Sequence, residues 1–446
     1  MAEIARKRET PFEFLKCGSK KELFCTICFF IGFFSCLPVG AFPQYSSIFA
    51  IILAITMVLC FFDETFFLYS ALFMFMRYKM LIGETPVYRI YSYLVVIRFL
   101  RDLPNIKIRV TYLPALIVFA FHSIFALSKV TSIRLGLNIV VDCMIIYIVL
   151  FYVLSDDRLF RKYIMAFILG GITSGVYGWT NSDMVVDINV RGAGLEKVRR
   201  NFGSLGDPNF AGLYYSSCIY AALLIKSVPK WVKALLAAVF MAMILETASL
   251  SAVLSVFVIG IIVLILKFRG KSLLIIAPAI IAVGAAVVIA LSIPQIRNLK
   301  AVSGLIIRVT EKLMYISSGR LDLLTTDRYP IWKTAMSIFE RKNLFGKLFG
   351  GTVITVDYID TTVMSIACHQ SLIQAILDFG IIGTALIYIP LWIVIIYRII
   401  AHMKKRPGYK TEDIAIIRII FALGFIIFGM TVDLFVDWAY LFFYFI

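Results

Sequence analysis

The residues best suited to chemistry stand in a short polar segment before a long apolar run. Arg199 and Arg200 come first, and Asp207, Pro208 and Asn209 follow after two glycines. Asp207 is a typical N-cap and Pro208 suits a first helical turn, so a helix beginning here presents free N–H groups. The helix dipole and the guanidinium groups both favour phosphate. The segment predicts an anion site, although a plain helix start explains the same residues equally well.

A second cationic segment contains Arg320 and, eight residues later, Arg328. Apolar residues after Pro330 recur at helical spacing, which together with Trp332 predicts an amphipathic helix resting at a membrane interface. Arg328 is expected at the entrance of that helix, where it could bind a phosphate bidentately. Arg320 remains an alternative for the same role.

One histidine stands apart from the other two. His369 precedes an apolar run and is followed by Gln370 and Gln374, whereas His122 lies within an apolar run and His402 in a basic turn. An imidazole with an ordinary pKa near neutrality suits a general base acting on a sugar hydroxyl. A capping or packing role for His369 is the competing interpretation.

The sequence contains no metal-binding constellation of recognised spacing. It has neither the Asp-x-Asp pattern that holds a divalent ion in nucleotide-sugar transferases nor a histidine pair at i, i+4, and no nucleotide-binding fingerprint. We therefore expect no metal and no cofactor, with arginines neutralising the developing charge.

The composition requires a membrane to hold these residues. The 446-residue chain is 61% hydrophobic and 16% charged, and its mean hydropathy is +0.92. Repeated apolar runs long enough to cross a bilayer predict an all-α, polytopic integral membrane protein with about 12–14 transmembrane helices. The predicted spans are 23–42, 45–62, 65–77, 87–100, 108–128, 133–154, 161–180, 208–226, 231–247, 249–267, 272–293, 371–398, 413–430 and 432–446.

The basic turns give this bundle an orientation. They fall on alternate connections, so the positive-inside rule places them and the N-terminal segment 1–22 in the cytoplasm. The bundle 23–294 then has an extracytoplasmic loop at 181–206, followed by a large helical extracytoplasmic loop at 295–369 and by C-terminal spans at 370–446. The net charge of +17 is spread over short loops, which argues against nucleic acid as a partner.

Three segments, in this order, resemble the bacterial O-antigen ligase and polymerase family of membrane glycosyltransferases. They are Arg200-x-x-Gly203 with Asp207-Pro-Asn, Thr-Thr-Asp-Arg328-x-x-x-Trp332, and His369-Gln-x-x-x-Gln374 with Asp378-Phe-Gly380. The resemblance covers mainly residues 195–390. Two departures are Asp327, where the family usually has glycine, and Gln370, where asparagine is common.

This resemblance implies a GT-C type, metal-independent enzyme of the bacterial cytoplasmic membrane with its active site on the outer face. Its donor is an undecaprenyl-pyrophosphate-linked oligosaccharide, whose pyrophosphate Arg200 and Arg328 hold, with Arg199 and Arg320 as alternatives. His369 activates the acceptor hydroxyl, and Asp207, Asn209, Trp332, Gln370 and Gln374 support the site.

The expected function is polymerisation of surface polysaccharide repeat units, with a lipid-linked acceptor. The alternatives are an O-antigen ligase that transfers glycan to lipid A core and, from a different class, a polysaccharide or lipid transporter. Besides the lipid-linked substrates and membrane lipid, a flippase and a chain-length regulator are candidate partners.

Overall fold

The computed structural model describes most of the chain, in segments that include all the elements used below. These segments are residues 17–103, 133–189, 197–226, 228–268, 278, 292–320, 328–341, 354–358, 361–366, 370–405 and 409–430. The predicted spans 108–128 and 432–446, and nearly all of 272–293, lie outside the described residues, as do His122 and His369.

The described chain is mostly helical. Its α-helices, in chain order, are α1 Lys20–Cys36, α2 Ser46–Leu59, α3 Tyr69–Met76, α4 Val87–Asp102, α5 Ile133–Val153, α6 Asp157–Thr180, α7 Pro208–Leu224, α8 Lys230–Glu246, α9 Leu250–Phe268, α10 Pro294–Arg297, α11 Lys300–Ser317, α12 Arg328–Arg341, α13 Ser371–Lys404 and α14 Glu412–Gly429. Short 3₁₀ turns at Leu37–Val39, Pro43–Tyr45, Glu64–Leu68 and Ser182–Met184 connect some of them.

Within the described residues, four helices are long and apolar enough to cross a membrane: Lys20–Val39, Asp157–Thr180, Leu250–Phe268 and Gly380–Lys404. Shorter apolar helices include Pro43–Leu59 and Glu64–Met76. This composition is that of a helical membrane protein, because helices satisfy their own backbone hydrogen bonds where no water is available.

Small residues let neighbouring helices approach the central helix α6 closely. A Cβ atom added at Gly170 would lie 2.6 Å from the Phe75 ring of α3, and one at Gly175 would lie 2.0 Å from Met243 of α8. Phe167 of α6 contacts both Phe75 and Tyr214 of α7, with ring centroids 5.2 and 5.9 Å apart. Helices in a membrane associate through such close packing, so α6 fixes the relative positions of α3, α7 and α8.

Polar contacts connect several basic turns at one end of the bundle, which we call the basic end. Arg158, at the start of α6, pairs with Glu22 of α1 at 2.8 Å. Arg161 donates to both carboxylate oxygens of Asp413 at the start of α14, at 3.1 and 3.2 Å. Lys226, after α7, donates to the carbonyl oxygen of Tyr409 at 2.9 Å. These turns therefore lie on one side of the bundle, as the alternation of basic connections predicts.

The described chain contains three antiparallel hairpins that were not predicted. They are β1 Leu81–Ile82 with β2 Thr85–Pro86, β3 Val185–Asn189 with β4 Lys197–Asn201, and β5 Ile354–Tyr358 with β6 Thr361–Ile366. Two of them occupy the segments expected as extracytoplasmic loops.

The helix predicted at 371–398 is not continuous. Gly380 has φ 71° and ψ 179°, so it interrupts α13 between a first part beginning at Ser371 and the span Gly380–Lys404. His402, expected in a basic turn, is instead buried in the last turn of α13, where its ring nitrogens lie 3.0 Å from the Tyr409 hydroxyl and 2.9 Å from the Leu266 carbonyl oxygen.

Candidate functional site

A β-hairpin, rather than the irregular loop expected from the sequence, positions the first two arginines. In the register of β3 with β4, Arg200 lies opposite Val186 and Arg199 opposite Asp187. Successive side chains of a strand point to opposite faces, so Arg199 and Arg200 diverge. Arg199 is exposed and Arg200 is half-buried. The hairpin therefore directs Arg199 and Arg200 to opposite faces, although the sequence left them as alternatives for the same anion-binding role.

The segment between β4 and α7 is fastened to the helix bundle. Gly203 has φ +58°, and a Cβ there would lie 2.5 Å from the Ser174 hydroxyl of α6 and 2.2 Å from the Tyr215 hydroxyl of α7. Ser204 donates its hydroxyl to the carbonyl oxygen of Phe75 at 2.5 Å, and its amide donates to Ser174 at 3.1 Å. Only glycine combines this backbone conformation with so close an approach, and Arg200 is held at the bundle as a result.

The predicted N-cap of α7 is confirmed. The Asp207 carboxylate accepts hydrogen bonds from the amides of Asn209 at 2.7 Å and Phe210 at 3.2 Å, and Pro208 occupies the first helical position. The Asn209 side-chain oxygen accepts from the Ser249 hydroxyl at 2.8 Å and from Arg200 Nη2 at 3.4 Å. Asp207 and Asn209 thus connect the helix start to the arginine.

The turn between α8 and α9 supplies two backbone carbonyls to two arginines. Arg200 Nε donates to the Thr247 oxygen at 2.9 Å, and Arg308 Nη1 donates to the Ala248 oxygen at 2.6 Å. Ala248 has φ +45°, the only positive φ of a non-glycine residue in the described chain. That conformation is costly for alanine, and here it accompanies a turn in which consecutive carbonyls accept from different guanidiniums.

Arg308 is a site residue that sequence reasoning missed as a candidate. Its helix, α11, lies on β4, since a Cβ added at Gly304 would be 3.1 Å from Val198. Val198 and Ala248 are both buried and pack together with Ile307. One sequence pattern could have indicated Arg308. Gly304, Arg308 and Tyr315 recur at helical spacing, so they share one face of α11.

Arg200, Arg308 and Arg328 form one electrostatic group, which we call the arginine cluster. The pKa of Arg200 is lowered to about 10, mainly by burial and also by Arg308 and Arg328, while Asp207 acts in the opposite direction. Burial also lowers the pKa of Arg328. Asp207 raises that pKa and Arg308 lowers it, and the net shift is downward. The pKa of Arg308 is also lowered, because the effect of burial exceeds the opposing effect of Glu311.

Among the described residues, two carboxylates, Asp207 and Glu311, act electrostatically on the three guanidiniums of the arginine cluster. Asp207 Oδ1 accepts both hydrogen bonds at the start of α7, and Glu311 accepts from the Tyr315 hydroxyl at 3.1 Å. A depressed arginine pKa means that the charged form is disfavoured where it stands. An anion placed among these guanidiniums would relieve both the burial cost and the mutual repulsion.

Arg328 begins α12, so a helix is present where the sequence predicts one, and its place at a membrane interface stays a prediction. Ile331 and Ala335 are buried at 3% and 1% exposure, whereas Trp332 is half-buried. Arg320 is exposed just after α11, where its amide donates to the Tyr315 carbonyl oxygen at 2.9 Å and so closes the helix.

The start of α13 is described from Gln370 onward. The Gln370 side chain caps the helix by accepting from the Ile373 amide at 2.5 Å, and Gln374 is buried. Helix α13 contacts α12, which carries Arg328. His369 directly precedes this helix but lies outside the described residues, so its proposed role stays a prediction.

Among the described residues, no three histidine, cysteine, aspartate or glutamate side chains are grouped so that they could hold one metal ion. No protein-family model matches the chain, and no curated protein matches it.

Proposed function

We propose that the protein is a membrane glycosyltransferase that polymerises surface polysaccharide repeat units. The donor is an oligosaccharide linked to undecaprenyl pyrophosphate, and the acceptor is a sugar hydroxyl of a second lipid-linked unit. The proposal places the enzyme in the bacterial cytoplasmic membrane, with the basic end in the cytoplasm and the arginine cluster on the outer face.

One observation carries the proposal: backbone carbonyls hold Arg200 and Arg308 beside the capped start of α7, and Arg328 at the start of α12 acts electrostatically on both of them. A pyrophosphate carries the opposite charge and offers several acceptor oxygens in compact form. Arginine is suited to it because its planar fork binds phosphate oxygens in pairs.

The chemistry assigned to the cluster is stabilisation of a leaving group. In the transfer, the acceptor oxygen forms a bond to the anomeric carbon while the bond from that carbon to the pyrophosphate oxygen breaks. The pyrophosphate leaves with the bonding electrons, so negative charge grows beside the arginines, where fixed cations stabilise the transition state most. The acceptor proton passes to a general base, the role proposed for His369.

The lipid-linked glycans that accumulate when the protein is removed test this function. A polymerase predicts single repeat units on the lipid, a ligase predicts long lipid-linked chains that never reach lipid A core, and unchanged outer-face glycans contradict both. Restoring the protein with Arg200→Gln should fail to recover long chains, whereas Arg297→Gln should recover them. Arg297 is the matched control because it is an exposed arginine at the end of α10.

A purified system separates catalysis from transport. The protein in nanodiscs is mixed with lipid-linked repeat units, and chain length is measured on a gel. Elongation without any compartment boundary supports a transferase, whereas its absence in a folded preparation contradicts the proposal and favours a transporter.

A further inference from the structure

A second pair of arginines lies on α13 and α14 toward the basic end, away from the arginine cluster. Arg398 stands on the packed face of α13, between Ile395 and His402, which are each 1% exposed. The side chain as a whole is half-buried, and its Nη1 atom is buried without a hydrogen-bond partner. A buried guanidinium nitrogen of this kind is costly unless an acceptor reaches it.

The charged neighbour of Arg398 is another cation. Arg418 of α14 acts on Arg398 electrostatically, and no carboxylate of the described chain does so. The Arg418 guanidinium lies over the Phe160 ring of α6, 4.9 Å from its centroid. Asp413, five residues earlier on α14, is occupied by two hydrogen bonds from Arg161. The two guanidiniums therefore repel each other across the contact between α13 and α14.

The depth of Arg398 suits a lipid phosphate. The span Gly380–Lys404 has 25 residues, so it is ~37 Å long and exceeds a hydrocarbon core of ~30 Å. Arg398 lies six residues before its end, ~9 Å along the axis, near the boundary between acyl chains and headgroups. Arginine at this depth faces an anion or a polar cavity in membrane proteins, and headgroup phosphates are the anions at that level.

We propose that Arg398 and Arg418 form a binding site for a phosphate group carried by a membrane lipid. The phosphate oxygens accept from both guanidiniums, which supplies Arg398 with acceptors and offsets the repulsion between the arginines. The site is independent of the glycosyltransferase proposal, since it lies on other helices and uses none of the residues assigned to the transfer. An unspecific basic surface explains it less well, because Nη1 is buried within the protein.

The test measures thermal unfolding of the full-length protein in delipidated detergent solution. Phosphatidylglycerol, diacylglycerol and inorganic phosphate are titrated separately. The wild-type protein should show a saturable rise in melting temperature with phosphatidylglycerol and none with diacylglycerol. An equal rise with inorganic phosphate would uphold the phosphate site and assign it to a soluble ligand.

Variants decide whether Arg398 is responsible. Arg398→Gln should weaken the apparent affinity for phosphatidylglycerol about 10-fold or more, as expected for a lost charged hydrogen bond. Lys404→Gln removes an exposed charge from the end of the same helix and should leave the affinity unchanged. Retained affinity in Arg398→Gln, or a full response to diacylglycerol, overturns the proposal. If Arg398→Gln does not fold, native mass spectrometry of the wild-type protein decides. A phosphatidylglycerol adduct should survive collisional activation that removes other lipids. The absence of such an adduct would overturn the proposed site.

Discussion

Replacing Arg308 by glutamine tests whether the arginine cluster acts as one anion site. Arg308 is fixed by its 2.6 Å hydrogen bond to the Ala248 carbonyl oxygen, and it repels Arg200. In the empty protein, the substitution loses a charged hydrogen bond of about 1.5–3 kcal/mol but relieves that repulsion, so we expect the free energy of unfolding to fall by less than about 3 kcal/mol. With ligand bound, a charged hydrogen bond to pyrophosphate is lost, at about 1.5–3 kcal/mol, or roughly a 10- to 150-fold weaker affinity.

The assay is calorimetric titration of pyrophosphate, and then of undecaprenyl pyrophosphate, into the protein in nanodiscs. Thermal unfolding without ligand is measured in parallel. Arg297→Gln is the control, since it removes an exposed arginine from the same region of the chain. A loss in Arg308→Gln that appears in stability but not in affinity would show Arg308 to be structural. Equal losses in both variants would show general electrostatic attraction rather than a site.

Three other outcomes follow from the same reasoning. Burial lowers the pKa of Arg200 to about 10. Because pyrophosphate binding requires the charged guanidinium, the affinity for pyrophosphate should be level near neutral pH and fall as the pH rises through about 10. A protein that stays folded and keeps the same affinity up to about pH 11 would contradict this expectation. His369→Ala should abolish chain elongation in membranes that still contain the folded protein, and full elongation in that variant would remove the histidine from the mechanism. Chelation of divalent cations should leave elongation unchanged, whereas restoration of lost activity by added Mg²⁺ or Mn²⁺ would refute a mechanism based on arginines.

The helices were predictable because long apolar runs and local caps both mark them. Asp207 and Pro208 signal the start of α7 without reference to the rest of the chain, and the structure places the cap there. Helix α12 likewise follows from apolar residues at helical spacing, of which Ile331 and Ala335 are buried. In both cases, the information lies within one or two turns of sequence.

The β3–β4 hairpin and the role of Arg308 were not predictable by the same means. Strand β4 reads Lys-Val-Arg-Arg-Asn, which has little apolar alternation, and its pairing depends on contact with α11 and the α8–α9 turn. The choice between Arg199 and Arg200 depends on which face of that strand meets the bundle. Arg308 is more than 100 positions from Arg200 in sequence, and only the tertiary packing of Gly304 on Val198 brings them together.

The use of carbonyls to hold the arginines has a consequence for the proposed chemistry. A carboxylate partner would fix Arg200 more strongly, but it would also cancel the charge and compete with an incoming phosphate. The Thr247 and Ala248 carbonyls lie just beyond the C-terminus of α8, where the helix dipole is negative, so they attract guanidiniums without neutralising them. The left-handed conformation of Ala248 accompanies this arrangement. A site built in this way keeps its cations in place before the anion arrives, which is what stabilisation of a leaving pyrophosphate requires.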